Sequence, residues 1–187
     1  PQDHVLWAGD QGQVGWFIHA YQSAWLPASL LATGTQATLV AALFAASQQW
    51  DVGLHFNKGL AGGAADAISR SRDTATHPDV VGAFALAIIG SSGDPAYPGL
   101  RHSEPDPAKA RRDAQGVDKA MAALREMAPD AGSYVSESDY FLRDWQRGFW
   151  GKNYPRLARA KHRYDPNGLF VVHHGVGSEA WSADGFM

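Results

Sequence analysis

Residues 83–89 form an almost unbroken run of apolar side chains, and this run constrains the fold more than any other feature of the sequence. A short apolar run is typical of a strand that is buried on both faces. Residues 90–105, which follow, are rich in Gly, Pro, Ser and Asp and predict a loop. Residues 52–57 alternate between apolar and polar side chains, which predicts a second strand with one polar face.

The rest of the chain predicts a mixture of helices and strands. Thr35 is interpreted as the N-cap of a buried amphipathic helix over residues 36–50, and Asp106 with Pro107 as the start of a long helix. The other predicted elements are strands over residues 14–18 and 169–173 and helices over residues 64–76, 141–150 and 154–164. No βαβ period is visible, so we predict an α+β fold with an antiparallel sheet covered by helices.

Composition excludes several classes of protein. The net charge is -3 and no basic run exists, which argues against nucleic acid or an anionic membrane as the partner. No apolar stretch approaches the roughly 20 residues that a membrane-spanning helix needs. Because cysteine is absent, disulfides, zinc–thiolate sites and thiol catalysis are excluded as well.

Eight histidines raise the possibility of a metal-dependent hydrolase, but their spacing does not favour it. His173 and His174 are adjacent, and on the predicted strand over residues 169–173 they would point to opposite faces. The other six show no ligand spacing. We therefore predict no metal site and interpret these side chains as surface or hydrogen-bonded histidines.

The polar face of the strand over residues 52–57 is a candidate substrate surface. His55 and Asn57 share that face, and Lys58 continues it. An imidazole, an amide and a cation can orient hydroxyl groups or polarise an oxygen, so the three are candidate substrate contacts. The alternative interpretation is a sheet face covered only by solvent.

The most specific pattern lies between residues 132 and 175. It contains the sequence Gly-Ser-Tyr-Val-Ser from Gly132, then Phe-Trp-Gly-Lys-Asn-Tyr-Pro-Arg-Leu from Phe149, and later Tyr-Asp-Pro-Asn-Gly-Leu-Phe from Tyr164. This pattern resembles the C-terminal segment of the berberine-bridge-enzyme-like flavoproteins, in the vanillyl-alcohol-oxidase (PCMH-type) superfamily of FAD-linked oxidases. The match extends over about 40 residues.

The resemblance implies a domain arrangement. Residues 1–140 would be the C-terminal part of a substrate-binding domain, whose antiparallel sheet covers the flavin. Residues 141–187 would be the segment that returns to the FAD-binding domain. That domain lies outside this sequence, so the implied partners are an N-terminal FAD-binding domain, or a second chain that carries it, and a small-molecule substrate. The resemblance also suggests a secreted protein.

The resemblance also implies roles for single residues. Tyr134 matches a tyrosine near the flavin and is the candidate catalytic base, although Ser136 stands where the family usually has Asn. Asn153 and Tyr154 are candidate FAD contacts. Arg156 and Asp165 match positions that we interpret as structural.

The predicted function is therefore FAD-dependent oxidation of an alcohol, a sugar or a related secondary metabolite, with hydride transfer to the flavin and oxygen as acceptor. In such chemistry the cofactor accepts the hydride and the protein supplies orientation and a base. The alternative is a non-catalytic module that binds a carbohydrate or an aromatic ligand. A stable monomer without flavin and without an exposed apolar face would favour this alternative.

Overall fold

A three-stranded antiparallel sheet forms the centre of the chain. A computed structural model describes residues 15–57 and 63–182. Strand β1 spans Trp16–Pro27, β2 spans Gly53–Phe56 and β3 spans Ala83–Pro95, in the order β1-β3-β2. The predicted α+β class with an antiparallel sheet is confirmed, and the apolar run over residues 83–89 lies in the central strand.

Strand β3 is longer than the sequence predicts, because it continues through residues 90–95, which were expected to be loop. Gly90 pairs with Tyr21 of β1, and a Cβ at Gly90 would lie 2.9 Å from the Tyr21 ring. Glycine is therefore needed at this position for close packing, whereas in the sequence it resembles a loop signal. Strand β1 is also longer than the predicted strand over residues 14–18, and it ends at Pro27.

Within residues 15–57 and 63–182, five α-helices accompany the sheet. They are α1 (Gln36–Ser47), α2 (Ala65–Ser71), α3 (Pro107–Met127), α4 (Trp145–Trp150) and α5 (Tyr154–Tyr164). Short 3-10 turns lie at Ala28–Leu31, Pro78–Val81, Gly151–Asn153 and Ser178–Ala180. The helices predicted over residues 64–76 and 141–150 are thus shorter than expected, while α5 has the predicted bounds.

Helix α3 covers one face of the sheet and forms the main core with it. Asp106 caps the helix as predicted, since its carboxylate accepts a hydrogen bond from the backbone N–H of Lys109 at 2.9 Å. Val117, Met121 and Leu124 of α3 are fully buried against alternate residues of β1 and β3. Truncating a buried leucine such as Leu124 to alanine costs about 2–5 kcal/mol, so this contact dominates local stability.

Helix α1 is not the buried amphipathic helix that the sequence predicts. It contains no charged residue, and Leu39 is buried, but Val40 and Phe44 are 65% and 67% exposed. Apolar side chains occur around most of the helix, so helical spacing alone could not identify the face that packs on α3. The result is an exposed apolar patch on α1.

The predicted strand over residues 169–173 is wrong. Residues 169–172 are irregular, with a bend at Phe170, and a turn follows at His173 and His174. The preceding turn at Pro166 and Asn167 agrees with the Asp-Pro-Asn-Gly sequence from Asp165, which favours a turn. The Asp165 carboxylate accepts hydrogen bonds from the backbone N–H groups of Leu169 and Phe170, and this geometry directs the backbone away from extended structure. Within the described residues, no helix combines the length and hydrophobicity needed to cross a lipid bilayer.

Candidate active site

Tyr134 lies beside the outer edge of β1. The backbone N–H of Trp25 donates to the Gly132 carbonyl at 2.8 Å, and the N–H of Tyr134 donates to Ser23 Oγ at 3.0 Å. Ser23 Oγ also bonds Ser133 Oγ at 2.8 Å, and both serines are buried. The backbone of Tyr134 is therefore fixed, while its side chain is 40% exposed.

The Tyr134 ring continues a row of side chains on the face of the sheet opposite α3. Its centroid is 6.2 Å from that of Trp25. Trp25 pairs with Leu86, and Leu86 pairs with His55, so these three side chains share one face. Neighbouring strands are about 4.8 Å apart, which places His55 about 10 Å from Trp25 across the sheet. Tyr134 and His55 thus lie at opposite ends of one row.

The other two predicted substrate contacts differ from His55. Asn57 donates its side-chain amide to the Val80 carbonyl at 2.6 Å and its backbone N–H to the Phe84 carbonyl at 2.7 Å. This side chain therefore holds the turn at Pro78–Val81 against the end of β2. Lys58 lies outside the described residues. Of the two that the structure describes, His55 is exposed on the face that carries Trp25, whereas the side-chain amide of Asn57 is bound to the Val80 carbonyl.

Residues 73–79, named the strap here, bind the segment that carries Asn153. The Asn153 side chain donates through Nδ2 to the carbonyls of Thr74 and Thr76, at 3.2 and 2.8 Å. Arg156 donates to the Thr74 carbonyl at 2.8 Å and pairs with Asp73 at 3.0 Å. Asn153 thus fixes the start of α5 on the strap, and its Oδ1 acceptor takes part in neither contact.

The hydroxyl of Tyr154 is engaged within the chain. It donates to the Glu179 carboxylate and accepts from the backbone N–H of Gly177 at 3.2 Å. Burial, together with the hydrogen bond to Glu179, raises the pKa of Tyr154 to about 12. This phenol stays protonated at neutral pH and joins α5 to the turn at Ser178–Ala180.

The two adjacent histidines form part of an aromatic stack, which the sequence does not predict. His173 stacks on Tyr140 with ring centroids 3.9 Å apart, and on His174 at 3.8 Å. His174 also stacks on Trp145 at 5.3 Å and has a φ of 57°. The left-handed backbone at His174 turns both rings to the same side, whereas a strand would separate them. Burial and the neighbouring His173 charge lower the pKa of His174.

A cleft of about 780 Å³ lies between β1, α3 and the residues that follow Tyr134. It was not predicted, because its lining comes from three distant parts of the sequence. Burial, followed by the nearby Glu137 charge, raises the pKa of Tyr21 inside this cleft. The aromatic and acidic lining comprises Tyr21, Asp118, Glu137, Asp139, Tyr140 and Phe141.

Two further side chains that the sequence analysis did not identify brace the Tyr134 segment. Arg125 of α3 donates to the Ala131 carbonyl at 3.0 Å and to the Ser23 carbonyl at 3.4 Å. Asp79 of the strap accepts from the Gly132 N–H at 2.9 Å. No three His, Asp or Glu side chains converge as a metal site in the part of the chain that the structure describes.

The family described as "Berberine and berberine like" matches residues 133–177. Residues 133–177 are thus similar to that family, and we call them the berberine-like segment. This segment begins one residue before Tyr134, and it includes Asn153, Tyr154 and the two stacked histidines. Tyr134, Asn153 and Arg156, which β1 and the strap hold in place, therefore all lie in the berberine-like segment.

Several relatives match part of this chain. An uncharacterized FAD-linked oxidoreductase from Arthroderma benhamiae is 50% identical over 62 residues, which are 33% of this chain and 10% of that protein. The flavin-dependent oxygenase ucdF from Aspergillus ustus is 50% identical over 66 residues, 35% of this chain and 12% of that protein. The VAO-type flavoprotein oxidase VAO615 from Thermothelomyces thermophilus is 36% identical over 75 residues, 40% and 13% respectively. The matched stretch is about a tenth of the length of these relatives.

Two solved structures share the fold beyond the berberine-like segment. The VAO-type flavoprotein MtVAO615 from Myceliophthora thermophila C1 superposes with a TM-score of 0.64 at 24% identity, covering 87% of this chain and 28% of that one. MtVAO713 from the same organism superposes with a TM-score of 0.62 at 20% identity, and the match covers 89% of this chain and 28% of that one. The chain therefore has the fold of part of a VAO-type flavoprotein.

Proposed function

We propose that this chain forms the substrate-side wall and the C-terminal segment of an FAD-dependent oxidoreductase. The reaction would be oxidation of an alcohol, a sugar or a related secondary metabolite, with oxygen as the acceptor. The observation that carries the proposal is the berberine-like segment, docked so that Tyr134 extends the face of the sheet opposite α3. Its relatives are named as FAD-linked or flavin-dependent proteins.

The residues present fit a flavin partner in part. The rings of Trp25 and Tyr134 form an aromatic surface beside the buried Leu86, and such a surface is suited to a flat ring system. The two contacts of Asn153 with the strap use its side-chain nitrogen, Nδ2. Its side-chain oxygen takes part in neither, and this oxygen can accept a hydrogen bond from an N–H donor. The Tyr154 hydroxyl donates to Glu179 and accepts from Gly177, so we propose that Tyr154 supports the segment and that Asn153 makes the polar contact.

In the proposed reaction, FAD would supply the hydride acceptor. Tyr134, as its phenolate, would take the proton from the substrate oxygen and become the phenol, because its side chain is open to the face while its backbone is fixed at Ser23. His55, at the other end of the row, would orient a distant hydroxyl of the substrate. Lys58 remains a predicted contact and a candidate cation for favouring the phenolate.

The exposed patch on α1 supports a role within a larger protein. Val40 and Phe44 are mostly exposed on a helix without a charged residue, and a stand-alone binding module would rarely leave such a patch open. We propose that residues 1–140 belong to a substrate domain and residues 141–187 to a segment that contacts an FAD-binding portion.

The experiment that tests the proposal begins with the visible spectrum of the native protein, which should show a bound flavin. Tyr134→Phe should then lower turnover by roughly 10²-fold or more while the flavin spectrum stays unchanged, because a general base contributes about 10²–10⁴. Tyr164→Phe, on the exposed side of α5, is the matched control. A colourless native protein, or full turnover by Tyr134→Phe, would contradict the proposal.

A further inference from the structure

His77 fills a space that two glycines leave open. A Cβ on Gly132 would lie 2.5 Å from both ring nitrogens of His77, and a Cβ on Gly151 would lie 2.8 Å from Nε2. Neither position could carry a side chain unless the ring moved, and Gly151 also has a φ of +52°. The His77 side chain, which is 8% exposed, is thus enclosed by the backbone at Gly132 and at Gly151, both of which are distant from His77 in the sequence.

Each of these glycines precedes a candidate site residue by two positions. Gly132 stands before Tyr134, and Gly151 stands before Asn153. The imidazole therefore touches the backbone that leads to the candidate base and the backbone that leads to the candidate cofactor contact. The single His77 ring therefore packs against both segments.

The hydrogen bonds of the ring fix its tautomer. Nδ1 accepts from the backbone N–H of Asp79 at 3.1 Å, so Nδ1 carries no proton. Nε2 therefore carries the proton and donates to the Arg147 carbonyl in α4 at 3.2 Å. The same Asp79 accepts from the Gly132 N–H through its carboxylate at 2.9 Å. The strap thus binds α4 through His77 and the Tyr134 segment through Asp79.

A backbone hydrogen bond also connects the Tyr134 segment directly to α4. The backbone N–H of Ser133 donates to the Gly148 carbonyl at 2.7 Å, which joins the residue before Tyr134 to α4. Displacement of α4 would therefore pull on Tyr134 as well as on Asn153, because the segments share this bond and the same ring.

We propose that His77 is a positioning residue that sets the spacing between Tyr134 and Asn153. The roles of those two residues rest on the proposed function, but the contacts of the ring do not. His77 does not take part in the chemistry: it holds the strap, α4 and the Gly132 backbone in one arrangement through its shape and through two hydrogen bonds.

Two variants separate the contacts of the ring. His77→Asn keeps an acceptor near Nδ1 but is too short to reach Arg147, whereas His77→Gln can place an amide donor near Nε2. His162→Gln, on the exposed side of α5, is the matched control. Amide hydrogen exchange in the native protein should accelerate at Ser133 and Tyr134 in His77→Asn, while Ile89 in β3 stays protected. His77→Gln should retain much of the protection at Ser133.

A double-mutant cycle tests the shape of the site. Gly132→Ala should accelerate exchange at Ser133 when His77 is present, since the added Cβ meets the ring. In a His77→Ala background the same substitution should have little further effect, because the ring is gone. Additive effects of the two substitutions would overturn the claim that His77 and Gly132 share this space.

Turnover distinguishes positioning from simple support. With flavin bound, His77→Asn should lower kcat by roughly 10- to 100-fold with a smaller change in KM, as misplacement of reacting groups by about 1 Å does. His77→Gln should recover much of that loss. Unchanged kcat in a destabilised His77→Asn protein would overturn the proposal. If the native protein binds no flavin, the proposed function fails, and hydrogen exchange at Ser133 and Tyr134 still decides whether His77 positions the segment.

Discussion

Ser23, which is 1% exposed, accepts a hydrogen bond at 3.0 Å from the backbone N–H of Tyr134, 111 residues away. The Ser23 hydroxyl also meets that of Ser133, so a single buried group holds both Tyr134 and the residue before it. Tyr134, the candidate base, is thus held in place by β1, a strand that is distant from it in the sequence.

Ser23→Ala should destabilise the protein and loosen Tyr134. The substitution leaves a buried N–H and a buried hydroxyl without this partner, which costs about 1–3 kcal/mol. Chemical denaturation measures the loss, and turnover of the flavin-loaded protein should fall with it. Ser92→Ala, at an exposed position of β3, is the control. Wild-type stability in Ser23→Ala would show that the serine pair contributes little.

Asn153→Asp should be more damaging than Asn153→Ala. The amide donates to the carbonyls of Thr74 and Thr76, and a carboxylate would place negative charge against both oxygens. We expect a loss of about 1–3 kcal/mol for alanine and a larger loss for aspartate, measured by urea unfolding. Asn167→Asp in the exposed turn provides the same change of charge. Equal stability of the two Asn153 variants would contradict the role of the amide donors.

Asp165 should make stability depend on pH in acid. The hydrogen bond from Lys161, with those from the backbone N–H groups of Phe170 and Leu169, lowers the pKa of Asp165 to about 2, below its ordinary value of 3.8. Its contribution is therefore present above pH 3.8 and is lost as the pH falls from 3.8 towards about 2.

The difference in melting temperature between wild type and Asp165→Asn should accordingly be largest above pH 4 and should shrink towards about pH 2. Asp66→Asn, at an exposed ion pair with Arg70, is the control and should show a much smaller difference. A difference for Asp165→Asn that did not change with pH would show that the charge of the carboxylate is unimportant.

His77 should make stability depend on pH nearer neutrality. Burial lowers the pKa of His77 below its ordinary value of 6.5, although the Asp79 carboxylate, 3.5 Å from Nδ1, and the Arg147 carbonyl both act in the opposite direction. The unfolded chain then binds a proton that the folded chain does not. Stability should decline as the pH falls below 6.5, towards the lowered pKa.

The measurement is the free energy of unfolding between pH 5 and pH 8 for wild type and His77→Asn. The variant lacks the imidazole, so its curve should be flatter than that of wild type over this range. A variant curve as steep as that of wild type would assign the pH dependence to other groups.

Elements with strong local signals were predictable. Asp106 and Pro107 mark the start of α3, and the apolar run over residues 83–89 marks the central strand, because capping and burial leave a trace in nearby sequence. The end of α5 follows from the turn after Asp165 for the same reason, and Asn153, a residue type that favours the N-cap position, stands just before its start. Asn153, however, does not cap the helix with its side chain, which reaches the strap instead.

The failures arise where distant contacts decide the structure. Gly90 resembles a loop residue and lies in a strand, because the Tyr21 ring needs the space. The stacking of His173 and His174 depends on Tyr140 and Trp145, which the sequence does not place near them. His77 resembles an ordinary loop histidine, since nothing in the neighbouring sequence reveals that Gly132 and Gly151 enclose it.

The strap binds Asn153 through its own main chain, in addition to the side-chain contacts of Asp73, His77 and Asp79. Asn153 and Arg156 are held by the carbonyl oxygens of Thr74 and Thr76, and the two threonine hydroxyls bond each other at 2.6 Å instead. A peptide carbonyl is present whatever the residue type. Residues 74 and 76 could therefore be substituted without loss of the hydrogen bonds from Asn153. Substitution of Asn153 would instead require another hydrogen-bond donor at the same place. Conservation of these carbonyl contacts would thus depend on Asn153 and Arg156 and not on the residue types at positions 74 and 76.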